Sequence, residues 1–242
     1  MLCYFKIAEG SFYMSKYGVM LDLETLGLGD DALIFQIGAV IFHLETGEVC
    51  QKFNEHLNLL DVGTGFPKFT EELQSLRKIP ELERNIHEFV QKFIAGNPEV
   101  LSLGVEESTL KFWVSSDSNI DILLEFLNSP NGVSEQQLMT NFQDFLLKNL
   151  VDKDLVVWGN GISFDVVKIK RKFTKHDLYF PIPFYSERDV RTILDLASMK
   201  ENVEASEIKM RLEKNPLPHD AYQDCLFQVN LVHYCYNLLM NK

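Results

Sequence analysis

The sequence has no apolar run long enough to span a bilayer. Its longest, LIFQIGAVIF from Leu33 to Phe42, is interrupted by Gln36. It is about half of the ~18–20 residues a spanning helix needs. No basic flank followed by a long apolar segment and a small-residue cleavage site opens the chain, which argues against a secretory signal. Four cysteines, Cys3, Cys50, Cys225 and Cys235, form no C-x-x-C pair and no metal-binding spacing. They read as reduced thiols, and the expected location is the cytoplasm. Positive charge is also short. The 23 Lys and Arg are outnumbered by 35 Asp and Glu, for a net charge of −12. That excludes a protein that coats nucleic acid through a basic surface, because such binding works by releasing counterions. It leaves open a nuclease, whose metal-binding carboxylates add negative charge of their own.

With 242 residues, 46% of them hydrophobic, the chain can bury a sizeable core. Residues 1–13 read as an N-terminal extension, non-native or poorly ordered, ahead of a domain spanning 14–242. From Tyr17 the pattern is strand-like: YGVMLDLE, then LIFQIGAVIFHL, then EVCQKFNEHLNL, with the ETGE hairpin signal around Gly47 before the third. From about Thr70 to Leu150 the spacing is helical. Leu82, Ile86, Phe89, Val90 and Phe93 share one face. Ser134 and Gln137 have capping-box spacing ahead of Leu138, Phe142, Phe145 and Leu146. DLVVWG, ending at Gly159, is a buried-strand candidate, with a helix from about Phe164 to Lys175 behind it. The stretch from Lys200 to Pro218 is polar, carries two prolines and includes a loop. A last helix runs from near Asp220 to about Leu239, with Gln223 at cap-box spacing. This order predicts one α/β domain with a mixed central β-sheet flanked by α-helices.

Three short motifs could carry chemistry. Asp22 and Glu24 stand two apart on a strand, so both point to one face, where they could hold a hard cation. NGISFD places Asn160, Phe164 and Asp165 on a strand–turn–helix junction. PHDAYQDC places His219 and Asp224 at the start of the last helix, where a histidine can take a proton near neutral pH. Taken singly, each has an ordinary explanation: a solvated turn, an acid favoured by a helix dipole, a surface histidine.

Together they form an ordered set. D-x-E on a first strand, N-x-x-x-F-D near the middle and H-x-x-x-x-D on a last helix resemble the DEDD exonuclease superfamily in its histidine-bearing branch. These are the DEDDh, DnaQ-like 3′–5′ exonucleases. The resemblance runs from about Tyr17 to Tyr236. STLKFW, WGNGISFD and FYSERDVRT are similar to DexA-type phage exonucleases and related exoribonuclease-like domains, with Phe112-Trp113 in place of a Trp pair.

The resemblance implies an RNase H-like fold and two Mg2+ or Mn2+ ions. Two metals about 3.5–4 Å apart activate a water and relieve charge on a phosphodiester. It implies that Asp22 would bridge the ions, Glu24 and Asp224 would complete the first site, and Asp165 would support the second. His219 would be the general base. Thr25 and Leu26 would cradle the terminal nucleotide, Leu26 wedging under its base. Phe164 would stack on a base and Asn160 would contact substrate or shape the turn. Lys168, Lys172 and Lys175 fall on one helical face that could guide a phosphate backbone. Arg188 and Arg191 could bind phosphate, and Trp113 with Phe112 could form a stacking platform. The expected partner is a nucleic acid with a single-stranded 3′ end, DNA before RNA, released as nucleoside monophosphates. The alternatives are an exoribonuclease of the same fold and an inert nuclease fold used as a binding module.

Overall fold

The computed structural model describes residues 16–63, 65–150 and 155–241. The proposed extension, residues 1–13, lies outside them. Strands β1 (Tyr17–Thr25), β2 (Ile34–His43) and β3 (Val49–His56) come first. Helices α1 (Leu59–Val62), α2 (Gly65–Arg77), α3 (Ile86–Gly96), α4 (Glu107–Trp113), α5 (Asp117–Asn128) and α6 (Glu135–Leu150) follow. Then come β4 (Leu155–Gly159), α7 (Ile162–Lys175), β5 (Glu187–Asp189), α8 (Val190–Glu201), α9 (Ala205–Met210) and α10 (Ala221–Met240). Among the described residues, no helix is long and apolar enough to cross a membrane.

The five strands form one mixed sheet in the order β3-β2-β1-β4-β5. β1 runs antiparallel to β2 and parallel to β4, and β4 runs parallel to β5. The ETGE hairpin forms as read, with Gly47 at φ +70°, a conformation glycine adopts without a Cβ clash. Strand alternation then sorts β1 into two faces. Val19, Leu21 and Leu23 enter the large core, built with α2–α7. Met20 enters a smaller core with α8 and α10. Asp22 and Glu24 continue that second face beyond Met20, paired in register with Gly38 and Gln36 of β2. α10 crosses this face closely. A Cβ on Gly38 would come within 2.3 Å of the Ala221 backbone, so the first turn of α10 lies directly on the sheet beside the two acids.

The helical face read across Leu82 is interrupted. Glu81–Glu83 form a separate 3-10 turn with Leu82 fully exposed, and Asn85 caps α3 by accepting from the Glu88 amide. The local cap overrides the longer periodicity. Ser134 Oγ accepts from the Gln137 amide, but the Gln137 side chain turns to Asn141 rather than back to the cap, so only half of that capping box forms. α7 begins two residues earlier than read, after Gly161 in the left-handed region at φ +98°. The polar stretch after Lys200 contains α9, anchored by buried Ile208.

Candidate active site

Asp165 is in the first turn of α7, 4% exposed, behind the carboxyl end of β4. Gly159 gives it room: a Cβ there would meet Asp165 Oδ2 at 3.1 Å and Ile162 Cδ1 at 3.0 Å. The start of α7 is tied to the neighbouring strand, because Asp189 Oδ2 accepts from the Ile162 amide. Asp224 comes from the first turn of α10. Asp220 caps that helix, accepting from the Gln223 amide at 2.9 Å. Gln36, almost fully buried, donates to Asp220 and accepts from the Ala221 amide, locking the cap to β2. His219 sits at φ +67°, and its amide donates to Asp224 Oδ2 at 3.0 Å. The tight turn thus places ring and carboxylate together. One ligand atom each from Glu24, His219 and Asp224 lies within 4.8 Å of the others.

All four acids and the histidine line one cavity of about 580 Å3, with Asn160, Arg191 and Gln228 among its other walls. The electrostatics follow from that crowding. Burial, then the charges of Asp165 and Asp224, push Asp22 well above the usual carboxylate range, against a hydrogen bond from Gln228. Burial, then the charges of Asp22 and Asp224, raise Glu24 similarly. Burial raises Asp165 to about 7 in spite of Lys168 and Arg191. Burial raises Asp224, opposed by the His219 amide.

Neither Lys168 nor Arg191 directs its hydrogen bonds to an acid of the cluster. Lys168 Nζ donates to the Leu28 carbonyl at 2.9 Å, and Arg191 donates to the side chain and carbonyl of Asn160. A cluster of oxygen donors and one imidazole, buried and short of positive charge, suits a hard divalent cation.

A second cavity of about 400 Å3 adjoins the first. Leu23, Glu24 and Phe164 line both. Its other walls include Thr25, Leu28, Ser108 and Phe112. The result is an acidic chamber opening onto an apolar one.

Several expectations are corrected here. Leu26 is fully buried in the large core, so its side chain cannot wedge under a base. Leu28, two residues on and 61% exposed, lines the apolar chamber instead. Trp113 is no stacking platform. It is buried, and its Nε1 donates to the Thr25 carbonyl at 2.9 Å, fixing the end of β1. Phe112 stays half-exposed and meets the His219 ring edge-on at 5.0 Å between centroids. The three lysines of α7 do not form a free basic face. Lys168 and Lys172 are buried, and Lys172 and Lys175 both bind Glu135. Arg188 turns back onto the carbonyls of Tyr185 and Glu187, away from any phosphate role in this arrangement. Gln228, which donates to Asp22 Oδ1 at 2.9 Å, was not singled out in the sequence. Its position one helical turn after Asp224 was the available signal.

Residues 17–236 match the model of the 3'-5' exoribonuclease Rv2179c-like domain. The chain belongs to this family. It is therefore a 3′–5′ exonuclease domain. Solved structures share the fold. The nuclease domain of 3'hExo, described as a DEDDh family member bound to rAMP, superposes with a TM-score of 0.50 at 12% identity. That match covers 96% of this chain and 95% of the other. A 3'-exonuclease described as recognising the histone mRNA stem-loop gives 0.51 at 10% identity, covering 94% and 83%. Cell-death related nuclease 4 (CRN-4) gives 0.50 at 12%, covering 90% and 63%. No curated protein matches the chain.

Proposed function

We propose that this domain removes nucleotides stepwise from single-stranded 3′ ends, RNA in the first place, and releases nucleoside 5′-monophosphates with the help of two Mg2+ or Mn2+ ions. The observation that carries the reading is the junction of the two chambers. A terminal base would enter the apolar chamber between Leu28, Phe112 and Phe164, and its phosphate would then lie among the acids, since Glu24 and Phe164 wall both spaces. Stacking on aromatic and aliphatic walls tolerates any base.

Asp22, Glu24, Asp165 and Asp224 would hold the cations. Such ions, when bound, draw charge from the phosphate and help create the attacking nucleophile. The rest falls to the chain. His219, beside Glu24 and Asp224, would accept the proton of the attacking water. Gln228 would keep Asp22 turned into the cavity. Arg191, bound to Asn160, would hold the turn ahead of Asp165 and bring positive charge to the chamber wall.

RNA is placed first because the matched family is described as exoribonuclease. The preference for DNA suggested by the phage-type segments gains no support from that match. An inert binding module is disfavoured by the full set of four acids and a histidine in one cavity.

The test is digestion of 5′-labelled single-stranded RNA and matched DNA, each with Mg2+, with chelator, and with Asp22→Ala protein. The expected result is a ladder shortening from the 3′ end, faster on RNA, absent with chelator and absent in the variant. Faster loss of DNA would reverse the substrate order. No shortening of either by folded, metal-loaded protein would overturn the proposal.

A further inference from the structure

The loop after β1 is held in an unusual way. Glu106 Oε1 accepts from the amides of Leu28 and Gly29, at 2.9 and 2.8 Å. Lys168 Nζ donates to the Leu28 carbonyl at 2.9 Å. Leu28 is therefore gripped at both ends of its backbone by two charged side chains of opposite sign, from elements far apart in sequence. The Leu28 side chain remains 61% exposed and lines the apolar chamber. Lys168 does more. Its Nζ stands 3.2 Å from the centroid of the Phe164 ring, the wall shared by both chambers. The lysine itself is 2% exposed.

Burying an ammonium is costly unless its donors and charge are satisfied. Here a carbonyl and an aromatic face supply partners, and both belong to the chamber walls. The grip is rigid on a third side. The Glu106 amide donates to the Leu26 carbonyl at 2.7 Å, so the carboxylate is anchored to the same loop it holds.

We propose that Glu106 and Lys168 are positioning residues for the 3′-terminal nucleotide: together they fix Leu28, and Lys168 also fixes Phe164, so that the two walls face a base at a preset separation. This rests on the exonuclease reading above and adds to it the pair that shapes the base chamber. Preset walls save the ordering cost that mobile ones would incur on binding. Neither side chain needs to touch the reacting phosphate.

The experiment compares wild type, Lys168→Met, Glu106→Ala and Glu106→Gln on a short single-stranded oligonucleotide. Two ends are used, a normal 3′ nucleotide and one lacking its base, both at saturating Mg2+. Lys168→Met and Glu106→Ala are expected to raise KM about tenfold on the normal end, equivalent to ~1.4 kcal/mol. On the baseless end KM for the same variants should stay within about twofold of wild type. Glu106→Gln, which keeps the accepting oxygen, should restore most of the loss.

In a Leu28→Ala background, Glu106→Ala should add less than about twofold, since the wall it positions is gone. An equal KM rise on both ends would overturn the proposal, because it would show a general charge or folding effect. Full additivity with Leu28→Ala would overturn it too. If Lys168→Met does not fold, Glu106→Ala carries the same comparison from the other end of the grip. A wild type that shortens neither RNA nor DNA sinks the exonuclease reading itself. An active wild type with base-independent variants sinks only the positioning pair.

Discussion

Replacing Asp165 by Asn should make the metal-free protein more stable at neutral pH while removing its activity. Asp165 is almost fully buried, and burial raises its carboxyl from 3.8 to about 7. The sign follows from proton counting. The unfolded chain releases this proton near pH 4, whereas the folded chain keeps it to about pH 7. Between those limits the folded state binds more protons. The group's contribution is thus complete below pH 4 and is lost as the pH rises through 7. The gap spans about three pH units at ~1.4 kcal/mol each, so the upper bound on the loss is ~4 kcal/mol.

Asparagine keeps the shape and never ionises. In a chain of this size ~1 kcal/mol moves Tm by about 2–4 °C. In chelator at pH 8, Asp165→Asn should therefore melt higher than wild type, by up to on the order of 10 °C. At pH 4 the two curves should converge. Saturating Mg2+ should close the gap at pH 8, because the ions bind only the native acids. The assay is thermal unfolding followed by circular dichroism across pH 4–8, with and without metal. Equal melting temperatures in chelator at pH 8, or a less stable variant there, would refute the idea that ionised, buried Asp165 costs the metal-free fold stability.

The remaining predictions concern the supports of the site. Trp113→Phe removes the donor to the buried Thr25 carbonyl and should cost about 1–3 kcal/mol in urea unfolding; no change would show that the bond contributes nothing. Gln36→Leu strips the Ala221 amide and Asp220 of their shared partner. A similar ~1–3 kcal/mol loss is expected, with a fall in kcat as His219 and Asp224 lose their fixed start of helix. Leu26 and Leu28 should separate cleanly. Leu26→Ala empties a core site and should destabilise by about 2–5 kcal/mol. Leu28→Ala should leave Tm within 2 °C or so and raise KM instead. The reverse pattern would restore Leu26 as the residue that meets the base.

The motif acids and the last helix were legible because their chemistry is local. A D-x-E pair on a strand shares a face whatever surrounds it, and Asp220 announces the start of α10 through its own side chain. The first four strands were legible for the same reason, as apolar runs with a hairpin signal, whereas β5, the short polar Glu187–Asp189, was not read as a strand. Periodicity failed where a cap competed with it. Leu82 fits the α3 face by spacing, yet Asn85 starts the helix after it, and the residue is left in solvent. The lysine face on α7 failed differently. Spacing placed Lys168, Lys172 and Lys175 together correctly, but Glu135 and the Leu28 carbonyl, which claim them, come from distant parts of the chain.

The same distinction explains why Leu26 and Leu28 could not be told apart in the sequence. Both follow the acids, both are leucines, and the two differ by one glycine between them. What decides the matter is the loop's path after β1. Leu26 pairs its amide with the Leu33 carbonyl and stays in the core, while the chain then turns outward through Gly27. A Cβ on Gly27 would come within 2.4 Å of the Gly104 carbonyl, so the turn depends on a neighbour 77 residues away that no local pattern contains. Metal-binding acids reveal themselves by residue type. The walls that choose the substrate are ordinary apolar side chains, and only the fold says which of them faces the cleft.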